Sequence, residues 1–375
     1  MCRLFAMTAS EPVSPMRAIH ALNVMKEGHD GSGVGLYLSG LSGAFADHPE
    51  HPVLSGIFTA RGLDRLDEIM EGLGFRAGHT LAITKDAPPA GTPRRGTYLA
   101  RAYAPPLGWD AMTPAERGAA LVTTRVAIRT EGEKTKDMMA FSFWPNVIML
   151  KEVGDPLTVG QWLELDRHEL HARRILCQGR QNTNYAINLY ACHPFFIEGV
   201  CTMTNGENTA FVPIREYLQT RNIPGYMGYQ SDSEVFTHIM HYTHYKLGLP
   251  LEAYKHIITP LTDAERENHP DRALLERLKT VCRKMIIDGP NCVIGCLPDG
   301  TMFMVQDRKK LRPGVVGGHP GIYAFSSEIC GLDAAIPDRD RSADFQPMHL
   351  DSAYVRPDCQ EVTICNQCQP LPLQR

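Results

Sequence analysis

The order of the apolar segments constrains this chain more than any single motif does. Strand-like runs come in consecutive groups: residues 182–206 offer two, residues 291–307 offer another two, and residues 321–328 add one more. Helical periodicity falls in separate blocks, at residues 14–28 and between residues 232 and 286. A parallel α/β sheet requires strands and helices in steady alternation. The pattern therefore predicts an α+β fold in which antiparallel sheets pack together and helices lie outside them.

The segment from residue 48 to 118 differs from its surroundings because it is richer in proline, glycine and charge. We expect it to be a peripheral insertion around one helix at 63–75, with 85–96 as a plain loop. The β-branched residues of 119–128 predict a strand that follows it. Residues 1–340 would then form one domain, and residues 341–375 a C-terminal extension with a cysteine cluster.

Composition excludes several classes of protein. The chain has 375 residues, of which 43% are hydrophobic and 21% charged, as in globular proteins. Its net charge is −4, whereas a general nucleic-acid binder would be clearly basic. No apolar run approaches the roughly 18 residues of a membrane helix, and the N-terminus lacks the features of a signal peptide. We expect a cytoplasmic protein that binds neither nucleic acid nor membrane.

Eleven cysteines are many for a cytosolic chain, but their scattered spacing does not indicate a disulfide framework. Cys359, Cys365 and Cys368 lie close together in the tail. Cys365 and Cys368 have the Cys-x-x-Cys spacing that is typical of metal ligands. A closed zinc site needs four ligands and no second pair lies near, so we predict no metal and a reduced, partly disordered tail.

Cys2 directly follows the initiator methionine and has two interpretations. It is either a small buried hydrophobe that starts a strand, or a nucleophile that becomes the first residue when Met1 is removed. In the second case one residue carries both a thiol and a free amine.

Three other sites have both a structural and a chemical interpretation. Arg125, on the predicted strand, either forms an ion pair or holds a carboxylate of a ligand. Asn205-Gly206 is typical of a hairpin turn, and the same turn can present an amide and a backbone N–H to an oxyanion. Ser231 or Asp232 can cap a helix, and Asp232 could instead hold an ammonium group.

Two further patterns favour structure over chemistry. The glycine-rich residues 28–37 lack the order of a nucleotide-binding loop and precede a strand, so they indicate a tight turn. His238, His241 and His244 lie on one side of a predicted helix without a supporting carboxylate pattern. We expect them near its exposed edge and not on a metal.

The order of these features resembles that of the class II glutamine amidotransferases, N-terminal-nucleophile hydrolases that begin Met-Cys. Cys2 comes first, then Arg125 within "TTRVAIRT", then "TNGENT" and then "SDSE" at 231–234. "TTRVAIRT" is similar to the family's "H-x-R-(aromatic)-(A/S)-T" strand, and "TNGENT" to the "H-N-G-E-I-N-T" of glutamate synthases. The segments "EGHDGSGVGLY" and "DGTMFMVQDRKKLRP…YAFSSE" extend the resemblance over residues 1 to 335.

The chain departs from the family pattern at three positions. Arg3 replaces a glycine, Thr204 a histidine and Val126 an aromatic residue. "MCRLF" itself is closer to the opening of small standalone amidohydrolases of the same superfamily. The 48–118 region and the tail have no counterpart in the pattern.

The resemblance implies an αββα sandwich and a site for glutamine. Cys2 would attack the side-chain amide with its own α-amine as base, since such an amine has a pKa of about 7.7–8.0. Asn205 and Gly206 would hold the oxyanion, Arg125 the α-carboxylate and Asp232 the α-ammonium group. This chain would carry no cofactor.

Because free ammonia escapes, the resemblance also implies a partner. We expect a separate glutamate synthase subunit that carries FMN and iron–sulfur clusters. A subunit of N-methylglutamate synthase, a standalone hydrolase of another γ-glutamyl amide, and a scaffold without turnover are the alternatives.

Overall fold

The computed structural model describes residues 2–28, 30–83, 88–181, 188–226 and 231–372. Parts of three predicted segments lie outside these ranges: His29 of the glycine-rich turn, residues 85–87 of the loop, and residues 182–187 before the Asn-Gly strand.

The strands fall into three antiparallel sheets. They are β1 (Arg3–Val13), β2 (Val34–Leu41), β3 (Pro52–Phe58), β4 (Arg76–Ala82), β5 (Thr97–Ala104), β6 (Met138–Pro145), β7 (Val147–Glu152), β8 (Ala172–Gly179), β9 (Phe195–Ile197), β10 (Val200–Gly206), β11 (Asn291–Cys296), β12 (Met302–Gln306), β13 (Val315–His319), β14 (Ile322–Ser326), β15 (Ser352–Val355) and β16 (Val362–Cys365).

Helices lie between these strands along the chain. They are α1 (Met16–Val24), α2 (Ala60–Gly72), α3 (Pro114–Thr135), α4 (Pro156–Trp162), α5 (Phe211–Gln219), α6 (Glu234–Met240), α7 (Ala253–Ile258), α8 (Asp263–Glu267), α9 (Arg272–Val281) and α10 (Ile329–Ala335). A π-helical segment, His241–Lys246, continues α6. None of the described helices is both long and apolar enough to cross a membrane.

Two six-stranded sheets form the centre of the molecule. The first sheet has the order β13-β14-β1-β8-β2-β7 and the second β16-β15-β12-β11-β10-β9, with antiparallel neighbours throughout. Apolar side chains of both sheets share one buried core, while α1 and α10 pack on the first sheet and α6 on the second. This arrangement confirms the predicted α+β class, with two antiparallel sheets between helix layers.

The third sheet forms a separate layer and has the order β4-β5-β3-β6. Its apolar face packs against α2 and α3 around Phe58, Phe143 and Ile128. This layer corresponds to the predicted insertion but runs to about residue 145 instead of 118, because α3 and β6 belong to it. The helix predicted at 63–75 is confirmed as α2.

The strand predicted at 119–128 is wrong, since these residues lie in the 22-residue helix α3. A capping box starts the helix: Thr113 Oγ1 accepts from the Glu116 N–H, and the Glu116 carboxylate accepts from the Thr113 N–H. Pro114 occupies the first helical position, which proline favours. These start signals and the packing on β6 outweigh the weak strand preference of β-branched residues.

The C-terminal extension is part of the second sheet and not a partly disordered tail. β15 pairs with β12, and β16 pairs with β15. Cys359 and Cys365 are buried, and only Cys368 of the cluster is exposed. The Leu371 N–H donates to Asp271 at 2.8 Å, which attaches the end of the described chain to the start of α9.

Gly35 marks the closest approach between β2 and the segment before β9. A Cβ there would overlap the backbone carbonyl of His193, which cannot move independently of its strand. We expect Gly35→Ala to lower the free energy of unfolding by about 1–3 kcal/mol or more, as overpacking does. Denaturant unfolding measures the change.

Gly72→Ala is the matched control, because a Cβ at the exposed end of α2 meets nothing within 4 Å. It should leave stability unchanged or raise it by up to about 1 kcal/mol. If both substitutions changed the free energy of unfolding equally, the close approach between Gly35 and the His193 carbonyl would be contradicted.

Candidate active site

Cys2 lies just before β1, on the face of the first sheet that points to the second sheet. Its next neighbour on that face is Leu4, which is paired with Gln178 of β8. The Gln178 side chain reaches across to the second sheet, which identifies the face. Cys2 is half-buried, and its Sγ lies 3.5 Å from the Gln181 N–H donor and 3.7 Å from the Gln181 carbonyl oxygen. Burial raises the pKa of the thiol, and the hydrogen bond from Gln181 opposes that rise.

Arg3 alternates to the opposite face, where the helices pack. Its guanidinium lies 2.7 Å from the Glu328 carboxylate, at the start of α10. The Leu4 N–H donates to Ser327 Oγ, and the Ser327 N–H donates to the Leu4 carbonyl. The departure from the family pattern at this position therefore adds an ion pair behind the sheet and leaves the inner face to Cys2.

Asn205 and Gly206 are the last two residues of β10 and do not form the predicted hairpin turn. They pair with Cys292 and Asn291 of β11, so the chain continues as a strand. A Cβ at Gly206 would overlap the Pro290 carbonyl, which explains the glycine by close approach and not by turn geometry. Asn205 shares its face with Met203 and Cys292 of the inter-sheet core. Its Nδ2 is buried and has no hydrogen-bond partner among the described residues.

Gln178 is a site residue that the sequence analysis missed. Its Nε2 donates to the Thr204 carbonyl at 3.3 Å, across the two sheets. Because a carbonyl oxygen only accepts, this contact fixes the amide orientation and turns Oε1 away from Thr204. That oxygen is buried and has no partner in the described part of the chain. The sequence feature that could have identified Gln178 is a glutamine within the otherwise apolar run "ILCQG".

Thr204 is held on its other side by His193. The Thr204 N–H donates to His193 Nδ1 at 3.0 Å, two residues beyond the last backbone pair of β9 and β10, Thr202 with Phe195. Burial, with the nearby Arg180 and Lys151, lowers the pKa of His193 well below its usual value. The imidazole is therefore neutral, and its Nδ1 can accept.

Asp232 contacts the segment that follows Gly206. Its carboxylate accepts from the Asn208 N–H at 2.9 Å and from the Ser231 and Ser233 hydroxyls at 3.4 Å. Helix α6 begins at Glu234 with Ser233 as N-cap and no side-chain cap, so the expected capping by Ser231 or Asp232 does not occur. Burial raises the pKa of Asp232, and its hydrogen bonds only partly offset that effect.

Arg125 lies on α3 and not on a strand beside Cys2. Burial lowers its pKa to about 10, the nearby Arg129 adds to that shift, and Glu234 of α6 opposes it. Glu234, whose charge opposes the shift, is two residues beyond Asp232.

Arg180 is the arginine beside Cys2, and the sequence analysis missed it. It follows β8 directly, is 7% exposed, and its charge acts on the Cys2 thiol together with that of Asp30. The Arg180 N–H donates to Gly33, and the Ser32 N–H donates to Asp30 Oδ1 at 2.9 Å. These contacts confirm a tight turn before β2. The sequence feature that could have identified Arg180 is the segment "QGRQ". In it an arginine follows, by two residues, a buried polar residue at the end of a strand.

Two of the three histidines are not at an exposed edge, while His244 is half-buried. His238 and His241 are buried, and His241 Nε2 lies 3.2 Å from Glu198, which also accepts from Lys246 at 2.5 Å. The hydroxyl of Tyr226 lies 2.7 Å from the other nitrogen of His241. This buried ion network anchors α6 and its π-helical continuation to the β9–β10 turn.

The structure thus brings Cys2, Asn205, Gly206 and Asp232 to one end of the sandwich. Gln178, on the strand that pairs with β1, donates to the carbonyl of Thr204, which directly precedes Asn205. Asp232 is placed near Gly206 because its carboxylate accepts from the Asn208 N–H. Arg180 lies at the same end, because it follows Gly179, which pairs with Arg3. Arg125 lies on α3 and belongs to neither central sheet.

Comparisons with known proteins give distant similarities. No protein-family model matches the chain. An uncharacterized protein of Archaeoglobus fulgidus is 26% identical over 195 residues, 52% of this chain and 50% of that protein. Two solved structures are similar over 99% of this chain and 50% of theirs, each at 11% identity. They are the glutamine phosphoribosylpyrophosphate amidotransferase of B. subtilis in complex with ADP and GMP (TM-score 0.46) and an allosteric regulatory enzyme of purine biosynthesis (TM-score 0.49). The chain spans about half the length of the proteins it matches.

The raised pKa of Asp232 predicts how stability depends on pH. Folding disfavours the charged carboxylate, so Asp232 costs stability above its folded pKa, and the cost disappears as the pH falls and the group is protonated. We expect Asp232→Asn to be more stable than wild type at pH 8, with a difference that shrinks toward pH 4. Thermal unfolding across this range measures it.

Asp64→Asn, at an exposed position on α2, is the control and should show no such trend. A variant at position 232 that is less stable than wild type at pH 8 would mean that the hydrogen bonds of the carboxylate outweigh its burial.

Proposed function

We propose that this chain hydrolyses the side-chain amide of glutamine with Cys2 as nucleophile. One observation supports this most: a buried donor, Asn205 Nδ2, and a buried acceptor, Gln178 Oε1, both lack a partner among the described residues and lie on the inner faces next to a thiol. A buried polar atom without a partner costs about 1–3 kcal/mol, so two at one site favour a ligand that supplies the missing bonds.

A primary carboxamide supplies both bonds. Its carbonyl oxygen would accept from Asn205, and its N–H would donate to Gln178. A carboxylate has no hydrogen to donate and an ester has no N–H, so the same pair would discriminate against both. The product of amide hydrolysis is a carboxylate, which this site would bind less well than the substrate.

The chemistry follows from Cys2 once Met1 is removed. The α-amine takes the thiol proton, and the sulfur attacks the amide carbon, with Asn205 and the Gly206 N–H stabilising the oxyanion. The C–N bond breaks as the amine returns the proton to departing ammonia. Water then hydrolyses the glutamyl thioester to glutamate and restores the thiol. Since burial raises the pKa of the thiol, a proton acceptor this close is needed.

The two charged ends of glutamine need opposite charges nearby. We assign the α-ammonium group to Asp232, which lies beside the segment that follows Gly206. For the α-carboxylate we propose Arg180 in place of Arg125, because Arg180 directly precedes Gln181, whose N–H lies 3.5 Å from Cys2 Sγ. A guanidinium can bind a carboxylate through two parallel hydrogen bonds, which a lysine cannot.

We further propose that the ammonia passes to a separate subunit of a split glutamate synthase that carries FMN and iron–sulfur clusters. The glutamate-synthase-like segments "TNGENT" and "DRKKLRP" support this choice. A subunit of N-methylglutamate synthase and a standalone hydrolase of another γ-glutamyl amide are the competing assignments. Ammonia release from glutamine that rises when the flavoprotein subunit is added would favour the glutamate synthase assignment. Ammonia release that does not change would favour the standalone hydrolase.

The primary test compares wild type with Cys2→Ala. We expect intact mass to show the loss of Met1, a glutamine-analogue alkylator to label Cys2 alone, and ammonia release to disappear in the variant. Ammonia release that persists in Cys2→Ala, or a retained Met1 in an active enzyme, would refute the mechanism.

Gln178→Met tests the carboxamide pair, because it keeps the length of the side chain and removes the acceptor. We expect kcat/KM for glutamine to fall about 10- to 100-fold, equivalent to one hydrogen bond in the transition state. Hydrolysis of the γ-methyl ester of glutamate, which has no N–H, should fall less, by the part that the lost hydrogen bond from Gln178 Nε2 to Thr204 contributes to the geometry of the site. Equal losses of kcat/KM on glutamine and on the ester would indicate that Gln178 only holds the two sheets in position.

Arg180→Lys and Arg125→Lys test which arginine binds the α-carboxylate. We expect Arg180→Lys to raise the KM for glutamine about 10-fold or more, since the bidentate contact is lost. It should leave the KM for 4-aminobutanamide, which lacks that carboxylate, unchanged. A selective effect of Arg125→Lys instead would return the role to Arg125.

A further inference from the structure

We propose that the turn at residues 48–51 binds a divalent transition-metal ion through His48, Glu50 and His51, with zinc as the first expectation. The turn lies between Phe45 and the start of β3, outside the site around Cys2. The proposal does not depend on the proposed function.

The backbone brings the two histidines together. The His51 N–H donates to the His48 carbonyl at 3.0 Å, which closes a four-residue turn with Pro49 in its second position. Proline favours that position because its ring fixes the required φ. The histidines occupy the first and fourth positions, and their rings stack with centroids 4.6 Å apart and planes inclined by 16°.

One oxygen of the Glu50 carboxylate lies near a nitrogen of each ring. Its Oε1 is 3.7 Å from His48 Nδ1 and 3.6 Å from His51 Nε2, and one ligand atom from each residue lies within 4.8 Å of the others. Metal bonds of about 2.0–2.1 Å at tetrahedral angles place neighbouring ligand atoms about 3.3 Å apart. The carboxylate oxygen would therefore need to move by only a few tenths of an ångström. The two imidazole rings would have to rotate out of their stacked arrangement, so that the ion lies in the plane of each ring.

The chemistry of the ligands indicates the class of ion. Two imidazoles and one carboxylate suit zinc, copper, nickel or ferrous iron better than the oxygen-preferring magnesium and calcium. The side chains of His48 and Glu50 are 66% and 65% exposed, so water completes the coordination and the ion can exchange. Such an open position also allows a fourth ligand from another molecule to bind the metal.

The cysteine-rich tail is the competing site for soft metals, and cobalt(II) distinguishes the two. Thiolate ligands give an intense near-ultraviolet charge-transfer band with cobalt, whereas imidazole and carboxylate ligands do not. We would titrate the reduced full-length protein with cobalt(II) alone and measure stoichiometry by equilibrium dialysis. The variants compared are His48→Ala/His51→Ala, Cys365→Ser/Cys368→Ser and, as a control, His20→Ala at an exposed position of α1.

We expect the Cys365→Ser/Cys368→Ser variant to bind one equivalent without a charge-transfer band, and the double histidine variant to lose that equivalent. Glu50→Gln should weaken binding about 10-fold, the loss of one charged ligand, and His20→Ala should leave it unchanged. Binding that survives in the double histidine variant, or the absence of binding by the double serine variant at millimolar cobalt, would overturn the proposal. Neither result depends on ammonia release, so the glutaminase proposal stands or fails separately.

Discussion

The position of Thr204 determines the geometry at this end of the molecule. Its carbonyl accepts from Gln178 of the first sheet, and its N–H donates to His193 of the segment before β9. These two bonds fix the distance between the sheets where β10 ends, and so where the Asn205 amide and the Gly206 N–H lie relative to the start of β1. The absence of a side chain at Gly35 allows β2 to approach the backbone of His193 closely.

Buried polar atoms that lack a partner among the described residues lie next to these contacts of Thr204. The hydroxyl of Thr202 pairs with that of Thr237 at 2.6 Å, whereas the hydroxyl of Thr204 has no partner among the described residues. At the Cys2 end, Gln178 and Asn205 each present a polar atom that no described residue satisfies. Natural proteins retain such groups mainly where a ligand or water pairs with them. Stability and ligand binding therefore conflict at these two residues.

The sequence was sufficient to predict the elements whose signals are local. Helices α1, α2 and α9, strands β11 and β12, and the tight turn before β2 all lie where periodicity and turn residues indicated them. It was insufficient where distant residues decide the structure. Asn205-Gly206 is a strand because β11 pairs with it, and His241 is buried because Glu198 and Tyr226 surround it. That Arg180 and Gln178 lie near Cys2 could be seen only once the first sheet placed β8 beside β1.

The last two strands have a consequence for the solubility of the protein. β15 and β16 cover the edge of β12, and without them that strand would present unpaired N–H and C=O groups and the apolar residues Phe303 and Met304. An uncovered edge of this kind is a template for intermolecular strand pairing. The C-terminal residues thus protect the sandwich against self-association, and shortening the chain at residue 340 would convert an internal strand into an aggregation-prone one.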